Sequence, residues 1–299
     1  MRVLIANMPH FARIIKSYFK NSHSIVEVDN IPSDNPIRIL VKLGSFDIIH
    51  FLYSPTVKLR GMFVLPMLKM LKKKVIIQWA GSDILQLYIS HKSKMTTALT
   101  MKLAVHLCTS SWNQRELSQF GIKANLIKSE VVGLNVSTNV PSLPHNFTVL
   151  AYLPKSRFNF YGGGIIEKLI EEYPSITFII VGDDGEGRIK AKNVKWLGYI
   201  PFKKMSDIYK RTTVLIRMPE HDGLSNMVIE ALIHGRYVIY NYRFPYCCHA
   251  RNYEEVKSWI NVLRKIKEPN LSGRNYAIKF IEHHRAKLEH MYKAICRGG

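Results

Sequence analysis

The sequence predicts an α/β chain built on two doubly wound parallel sheets, and three observations carry that prediction. Short continuous apolar runs, bounded by polar or glycine residues, alternate with helix-length segments along the chain. Strands that are apolar throughout, with no inside–outside alternation, belong to sheets covered by helices on both faces. The rhythm breaks at NVPSLPHN, residues 139–146, where two prolines and several small polar residues interrupt it. With 299 residues and 47% hydrophobic content, each half can bury a core of its own. The expected organisation is a first domain over 1–143, a second over 144–273, and a C-terminal helix over 274–299 that packs back toward the first.

Taken in order, the first half offers VLIA (3–6), FDIIHFL (46–52), KVIIQWAG (74–81) and AVHLCTS (104–110) as strands. The opening run stops at Asn7-Met8-Pro9 with no long apolar core and no small-residue cleavage site, which reads as a first strand and not as a secretory signal. The second half repeats the pattern more clearly. TVLAYL (148–153) leads to a helix over GIIEKLIEEY (164–173) and then to ITFIIVG (176–182). NVKWLGYI, a short MSDIYKR helix, TVLIRM (213–218), a SNMVIEALIH helix and YVIYNY follow. Two helical segments, EEVKSWINVLRKI and GRNYAIKFIEHHRAKLEHMYKAI, close the chain.

Charge is the outstanding bulk property. There are 43 Lys plus Arg against 22 Asp plus Glu, a formal charge of +21. Such a field attracts nucleic acid, anionic lipid or phosphorylated ligands without choosing among them. No zinc-finger, RNA-recognition or basic-zipper pattern is present, which counts against a nucleic-acid partner. Four cysteines, Cys108, Cys247, Cys248 and Cys296, show no C-x-x-C spacing, so we expect reduced thiols, no sulfur-bound metal and a cytoplasmic protein. The Asn-x-Ser/Thr matches at Asn135, Asn146 and Asn270 are then accidental. No run approaches the ~18 to 20 apolar residues that span a bilayer. VKLRGMFVLPMLKMLKKK, residues 57–74, holds six basic residues and no acidic one among Met, Leu, Val and Phe. It reads either as an anionic-membrane contact, where each Lys or Arg is worth about 1 kcal/mol, or as a crossover helix with a basic solvent face, kinked at Pro66.

Open α/β sheets bind ligands where strand carboxyl ends lead into helix N-termini. One such place is HDGLSNMVIEAL, residues 221–232. Ser225 or Asn226 can cap the helix, and Gly235 closes it. Gly223 allows close approach of a ligand, and the N–H groups at the helix start suit a diphosphate. Glu230 is either a surface glutamate on an ordinary amphipathic helix or a carboxylate that accepts hydrogen bonds from vicinal hydroxyls such as those of a ribose.

Asp222, Gly223 and Glu230, followed by Ala231-Leu232 and Gly235, resemble the acidic-x7-acidic motif of the GT-B retaining glycosyltransferases of family 4, also called group 1. YLPKSRFNFYGGGIIEKLIEEYPSITFIIVGDDG resembles the opening of that family's nucleotide-binding domain, and NVKWLGYIP the strand and turn before the motif. The likeness covers roughly residues 148–267. It implies the GT-B fold: two Rossmann-like domains facing a central cleft, the first binding the acceptor and the second the nucleotide-sugar. It further implies that Glu230 holds the ribose and that Asp222 contacts the transferred sugar. The backbone of Gly223, Leu224 and Ser225 receives the diphosphate, Lys155 and Arg157 offset its growing charge, and Gly182 ends a strand facing the nucleotide. Asp183 and Asp184 are base or turn contacts.

Two departures stand out. The first acid is Asp instead of Glu, shorter by about 1.5 Å of reach, which puts the donor sugar in question. Tyr161-Gly162-Gly163-Gly164 stands where many relatives carry a lysine before the helix glycine, and without a following Gly-Lys-Ser/Thr it is not a P-loop. In the first half only IIQWAGSD (76–83) resembles the family's strand-end segment. Asp83 there is either a polar group at the cleft or the N-cap of ILQLY, and His10 is a second acceptor-side candidate. No H-E-x-x-H or D-x-D motif falls at a plausible metal site, so we expect no metal and no cofactor. We expect a UDP- or GDP-linked donor and a glycan or lipid-linked acceptor at the inner face of the cell membrane. The resemblance implies front-side displacement with retention, the leaving diphosphate accepting the proton. A nucleic-acid-binding protein and an inactive glycosyltransferase-like scaffold are the competing readings.

Overall fold

The structure is a computed structural model that describes residues 1–19, 25–29, 43–55, 61–89, 102–128 and 139–297. Its contacts divide the chain into two units. One comprises Met1–Leu134, His221–Leu224 and Ile281–Gly299, the other Asn135–Glu220 and Ser225–Phe280.

The first unit is built on strands β1 (Arg2–Ala6), β2 (Ile25–Asp29), β3 (Ile48–Leu52), β4 (Lys74–Trp79), β5 (Val105–Cys108) and β6 (Ala124–Leu126). They pair in parallel in the order β2-β1-β3-β4-β5-β6. Between them run helices α1 (Pro9–Tyr18), α2 (Gly61–Met70), α3 (Ser82–Ile89) and α4 (Ser111–Gln119). Successive strand residues point to opposite faces, and the core divides accordingly. Leu4, Ile49, Phe51, Ile77 and Trp79 pack with Leu65, Leu68, Ile84 and Leu117 from α2, α3 and α4. Val3, Ile5, Ile48 and Ile76 pack on the other side with Ala12 and Ile15 of α1 and with Leu288 and Tyr292 of the C-terminal helix. There His50 Nδ1 lies 2.6 Å from Tyr292 Oη, a buried polar link in an otherwise apolar face.

The second unit repeats the design with β7 (Thr148–Tyr152), β8 (Thr177–Val181), β9 (Val194–Trp196), β10 (Val214–Arg217), β11 (Tyr237–Tyr240) and β12 (Cys248–His249). These are parallel in the order β12-β11-β10-β7-β8-β9. Its helices are α5 (Gly163–Glu172), α6 (Phe202–Lys210), α7 (Asn226–Ile233), α8 (Tyr253–Leu263) and α9 (Leu271–Arg297), the last continuing into the first unit's residues. One face packs Val149, Ala151, Phe178, Ile180, Val214 and Ile216 against Ile166, Leu169, Val256 and Ile260 of α5 and α8. Arg236, wholly buried after α7, donates to the carbonyls of His234 (2.7 Å), Ser142 (3.0 Å), Thr212 (3.3 Å) and Pro141. Carbonyl dipoles take the place of a carboxylate, and the 141–142 segment is tied to the second sheet.

The basic segment 57–74 falls partly outside the described residues, at 57–60, as does Asn135. Within α2, Leu65 and Leu68 are buried in the sheet core, so that apolar stripe belongs to the fold. Met70, 83% exposed, and Leu71 remain at the surface beside exposed Lys69, Lys72 and Lys74. Among the described residues no helix is long and apolar enough to cross a membrane.

Candidate functional site

In the second sheet the winding direction reverses between β7 and β10, so the loops after these strands define its ligand crevice. They are knit together by the backbone. Glu220 N donates to Phe160 O (2.8 Å), and Asn241 Nδ2, after β11, donates to Pro219 O (2.6 Å). Gly162 precedes α5 at φ +82°, and a Cβ on it would lie 2.8 Å from Met218 Cβ. A Cβ on Gly163 would strike the Phe158 ring. Packing between the β7 and β10 loops therefore accounts for these two glycines, with no phosphate loop required.

Glu230 lies on α7, immediately beyond the β10 loop. Ser225 is the N-cap, its Oγ accepting from Met227 N (3.2 Å), and the left-handed Gly235 follows the C-terminus. Although carboxylates are seldom buried, Glu230 is only 7% exposed. Its Oε2 accepts a 2.6 Å hydrogen bond from the hydroxyl of Tyr209, which is buried on α6. Burial, then the Glu230 charge, push the Tyr209 hydroxyl well above its ordinary pKa, so it stays a donor. The surface-glutamate reading of Glu230 is thus set aside: the carboxylate is interior, with one oxygen oriented by a neighbour.

The β7 loop carries the two candidate cations. Lys155 and Arg157 sit on a short 3-10 turn after Pro154. Together with Ser156, Phe158, Phe160 and Arg188 they line a pocket of about 410 Å³. Lys155 pairs with Glu186 (2.6 Å) and Asp184 (3.4 Å), and the Glu186 hydrogen bond raises its pKa. The Arg157 guanidinium lies 3.8 Å from the Phe160 ring centroid. Gly182 closes β8 at φ +97°, linked to Gly198 O (2.7 Å) and Lys155 N (3.3 Å). Asp183 and Asp184 make turn contacts. Asp183 accepts from Gly185 N (2.9 Å) and from Arg188 Nε (3.0 Å), and Asp184 accepts from Glu186 N (3.1 Å).

Sequence reasoning passed over Tyr209, Arg188 and Arg217. Arg217 ends β10, is 7% exposed, and holds its guanidinium 4.7 Å from the Tyr161 ring centroid and 5.8 Å from that of Tyr152. Its signal was a charge closing the apolar run TVLIR, a place where charged residues are seldom found.

The remaining candidates group with the first unit. Asp222 bonds its own neighbour, Oδ1 accepting from Gly223 N (3.0 Å), while Trp112 Nε1 donates to the Asp222 carbonyl (2.7 Å). His221 Nε2 lies 3.1 Å from Glu116 Oε2. Leu224 is buried at φ +73°, a left-handed conformation that costs a branched residue about 1 to 2 kcal/mol. The first sheet reverses its winding between β1 and β3. Asn7, Met8 and Tyr53, just beyond those strands, all have positive φ. Asp83, fully buried in the first turn of α3, ties this rim together. Oδ1 accepts from Ala80 (2.9 Å), Gly81 (3.0 Å) and Ile84 (3.1 Å) N–H groups, and Oδ2 accepts from Ser54 N (3.0 Å). Burial raises its pKa, and the N–H groups of Ser54, Ala80 and Gly81 oppose the rise. Asp83 is therefore a brace between the β3 and β4 loops, one residue inside the helix and not its N-cap. His10 is exposed on the first turn of α1, its ring edge-on to Phe11 at 5.3 Å. Among the described residues no three His, Cys, Asp or Glu side chains form a metal-binding group.

No family model matches the sequence, and no curated protein matches it either. Solved structures do match. HepE from Anabaena in complex with UDP aligns at a TM-score of 0.72 and 13% identity, over 98% of this chain and 100% of its own. The fold is GT-B. A sucrose-phosphate synthase from Thermosynechococcus elongatus aligns at 0.75 and 11% identity over the whole of both chains. The lipopolysaccharide outer core galactosyltransferase WaaB, in its apo form, aligns at 0.65 and 12%, over 96% of this chain and 97% of its own. At such identities the likeness carries architecture, and the chemistry rests on the side chains of the GT-B units themselves.

Proposed function

We propose that this protein transfers a sugar from a nucleotide-sugar donor to a glycan or lipid-linked acceptor. The observation that carries the proposal is the buried Glu230 carboxylate on the helix after the β10 loop, oriented by Tyr209, with Lys155 and Arg157 on the loop after the neighbouring strand β7. Such a carboxylate suits the paired hydroxyls of a ribose, and cations one loop away suit the diphosphate attached to it. In this reading the donor is UDP- or GDP-linked, Glu230 binds its ribose, and Asp222 meets the transferred sugar. Lys155 and Arg157 stabilise charge on the leaving diphosphate. Transfer proceeds with retention and without a metal, the diphosphate taking the acceptor's proton. HepE was solved with UDP, and WaaB is a lipopolysaccharide core galactosyltransferase, both on the same fold. The first unit takes the acceptor, and Met70 and Leu71 beside Lys69, Lys72 and Lys74 rest on an anionic membrane at its cytoplasmic face.

The test is direct. The protein should bind UDP or GDP, and with the matching sugar donor and anionic lipid vesicles should release nucleoside diphosphate as sugar moves. Glu230→Ala should abolish transfer. Transfer that survives Glu230→Ala, or binding of neither nucleotide, refutes the reading, and the second result favours a scaffold. Vesicle flotation unchanged when Lys69, Lys72, Lys73 and Lys74 are neutralised refutes the membrane contact.

A further inference from the structure

We propose that the second unit holds a further ligand site, a pocket at the carboxyl ends of β11 and β12 that takes a phosphate monoester carried on a saccharide. The pocket has a volume of about 540 Å³ and is lined by Arg243, Phe244, Pro245, Cys247 and His249. That size falls within the range of about 300 to 1,000 Å³ usual for small-molecule sites. All five residues belong to the second unit. In the sheet order, β11 stands between β12 and the β10–β7 crevice, so the site does not depend on the donor-site reading.

The backbone builds the pocket. β12 runs parallel to β11 with Ile239 opposite Cys248, so residues 241–247 must double back to bring the chain alongside. Tyr246 takes a left-handed φ of +61° in that return, Cys247 N donates to Phe244 O (3.1 Å), and Asn270 Nδ2 donates to Tyr246 O (3.3 Å). Phe244 is buried against Tyr276 and Phe280 of α9, with ring centroids 5.7 and 5.4 Å apart. This anchored ring fixes the loop at its middle and leaves Arg243 and Pro245 exposed on either side of it in the chain.

Charge supplies the recognition. Among the described residues, neither the Arg243 nor the His249 side chain has a hydrogen-bond or ion-pair partner. The carboxylate in the field of His249 is Glu255, and Arg251 already engages it, through its guanidinium at 2.5 Å and its backbone N–H at 2.9 Å. Burial pushes the Cys247 and Cys248 thiols up, so neither adds a negative charge to the wall. A guanidinium offers five N–H donors in one plane, and an imidazole on a separate strand adds another. Donors from two elements match the three terminal oxygens of a tetrahedral phosphate monoester better than the two coplanar oxygens of a carboxylate. The rest of the volume, walled by Phe244, Pro245 and Cys247, suits the C–H face of a sugar ring.

The full chain is titrated by ligand-observed NMR with glucose 6-phosphate, inorganic phosphate, glucose and glucuronate. Glucose 6-phosphate should bind, and each of the other three should bind more weakly by about tenfold or more. Its affinity should fall about 10- to 100-fold in Arg243→Gln and about 3- to 10-fold in His249→Gln, with thermal unfolding unchanged. A phosphomonoester-bearing glycan, before and after phosphatase treatment, distinguishes the source of the phosphate. Binding lost on treatment identifies a phosphorylated acceptor chain as an occupant, and binding of glucose 6-phosphate without the glycan identifies a free sugar phosphate. Binding of neither, binding that survives both substitutions, or glucuronate binding as tightly as glucose 6-phosphate overturns the inference. Displacement of glucose 6-phosphate by UDP or GDP puts it in the donor crevice and overturns it as well. If the chain binds neither nucleotide, the donor-site reading fails, and the sugar-phosphate titration still decides the pocket.

Discussion

The Tyr209–Glu230 hydrogen bond should be worth far more than an ordinary contact, and its size can be measured without knowing the substrate. The oxygens are 2.6 Å apart and both residues are buried. Hydrogen bonds to charged groups contribute about 1.5 to 3 kcal/mol, and a buried carboxylate deprived of its donor keeps its desolvation cost. Tyr209→Phe removes one oxygen from the ring and little volume, so its penalty reports the hydrogen bond and not a cavity. We expect Tyr209→Phe to destabilise the second unit by about 1.5 to 3 kcal/mol, and the same change made on a Glu230→Gln background to cost under about 1 kcal/mol. The assay is urea unfolding of wild type, both single variants and the double variant, read as a double-mutant cycle. A coupling energy below about 0.5 kcal/mol, the ordinary scatter for independent sites, would refute the claim that Tyr209 orients a buried charge.

Two further outcomes follow from burial and backbone geometry. His50 is buried against Tyr292, and burial lowers its pKa from 6.5 to about 3. The unfolded chain then binds a proton that the folded chain refuses. Stability is whole above pH 6.5 and falls by about 1.4 kcal/mol per unit as pH drops toward 3. Burial also lowers His284, to about 4, so it adds a slope of the same sign. His50→Gln should flatten the pH dependence of unfolding by about one proton between pH 6 and 4, and superimposable curves would count against the assignment. Gly162→Ala places a side chain at φ +82° and 2.8 Å from Met218 Cβ, and should cost upwards of about 1 to 2 kcal/mol. Gly164→Ala meets nothing within 4 Å and should be neutral or stabilising by up to ~1 kcal/mol. Thermal melts that rank the two the other way would remove the packing explanation for the glycine run.

How far the sequence could be read depended on where each element lies in its sheet. The interior strands β1, β3, β4, β7, β8, β10 and β11 are continuous apolar runs because both of their faces are covered. The strands that went unread, β2, β6 and β12, are all edges. β2 is IVEVD, with charges at alternate positions, β6 spans three residues, and β12 two. Edge strands have one open side and short pairing, so their sequences are under weaker apolar constraint. The site shows the same division. Ser225, Glu230 and Gly235 were legible because cap, carboxylate and terminator share one helix. Tyr209 precedes Glu230 by 21 positions and was not, since only the packing of α6 beside α7 brings the two together. Asp83 was legible as a special residue but not as what it is, because the N–H groups it serves include Ser54 from one loop and Ala80 and Gly81 from another, the two separated by α2 and β4.

The formal charge of +21 invites the view that this protein attracts its ligand by excess positive charge, and the second unit argues otherwise. Around the β7 loop the cations Lys155, Arg157 and Arg188 stand among the carboxylates Asp183, Asp184 and Glu186, three against three. A locally balanced cluster offers little net field, and exposed charges are screened within about 10 Å at 0.1 M salt. What distinguishes the place is orientation: guanidinium groups laid on aromatic faces at Phe160, Phe158 and Tyr161, and one carboxylate held by a tyrosine. Fixed dipoles and buried charges keep their strength where screening removes the rest. In the proposed reading, selectivity for a diphosphate joined to a diol follows from where Glu230 and the β7-loop cations are held and not from the net charge.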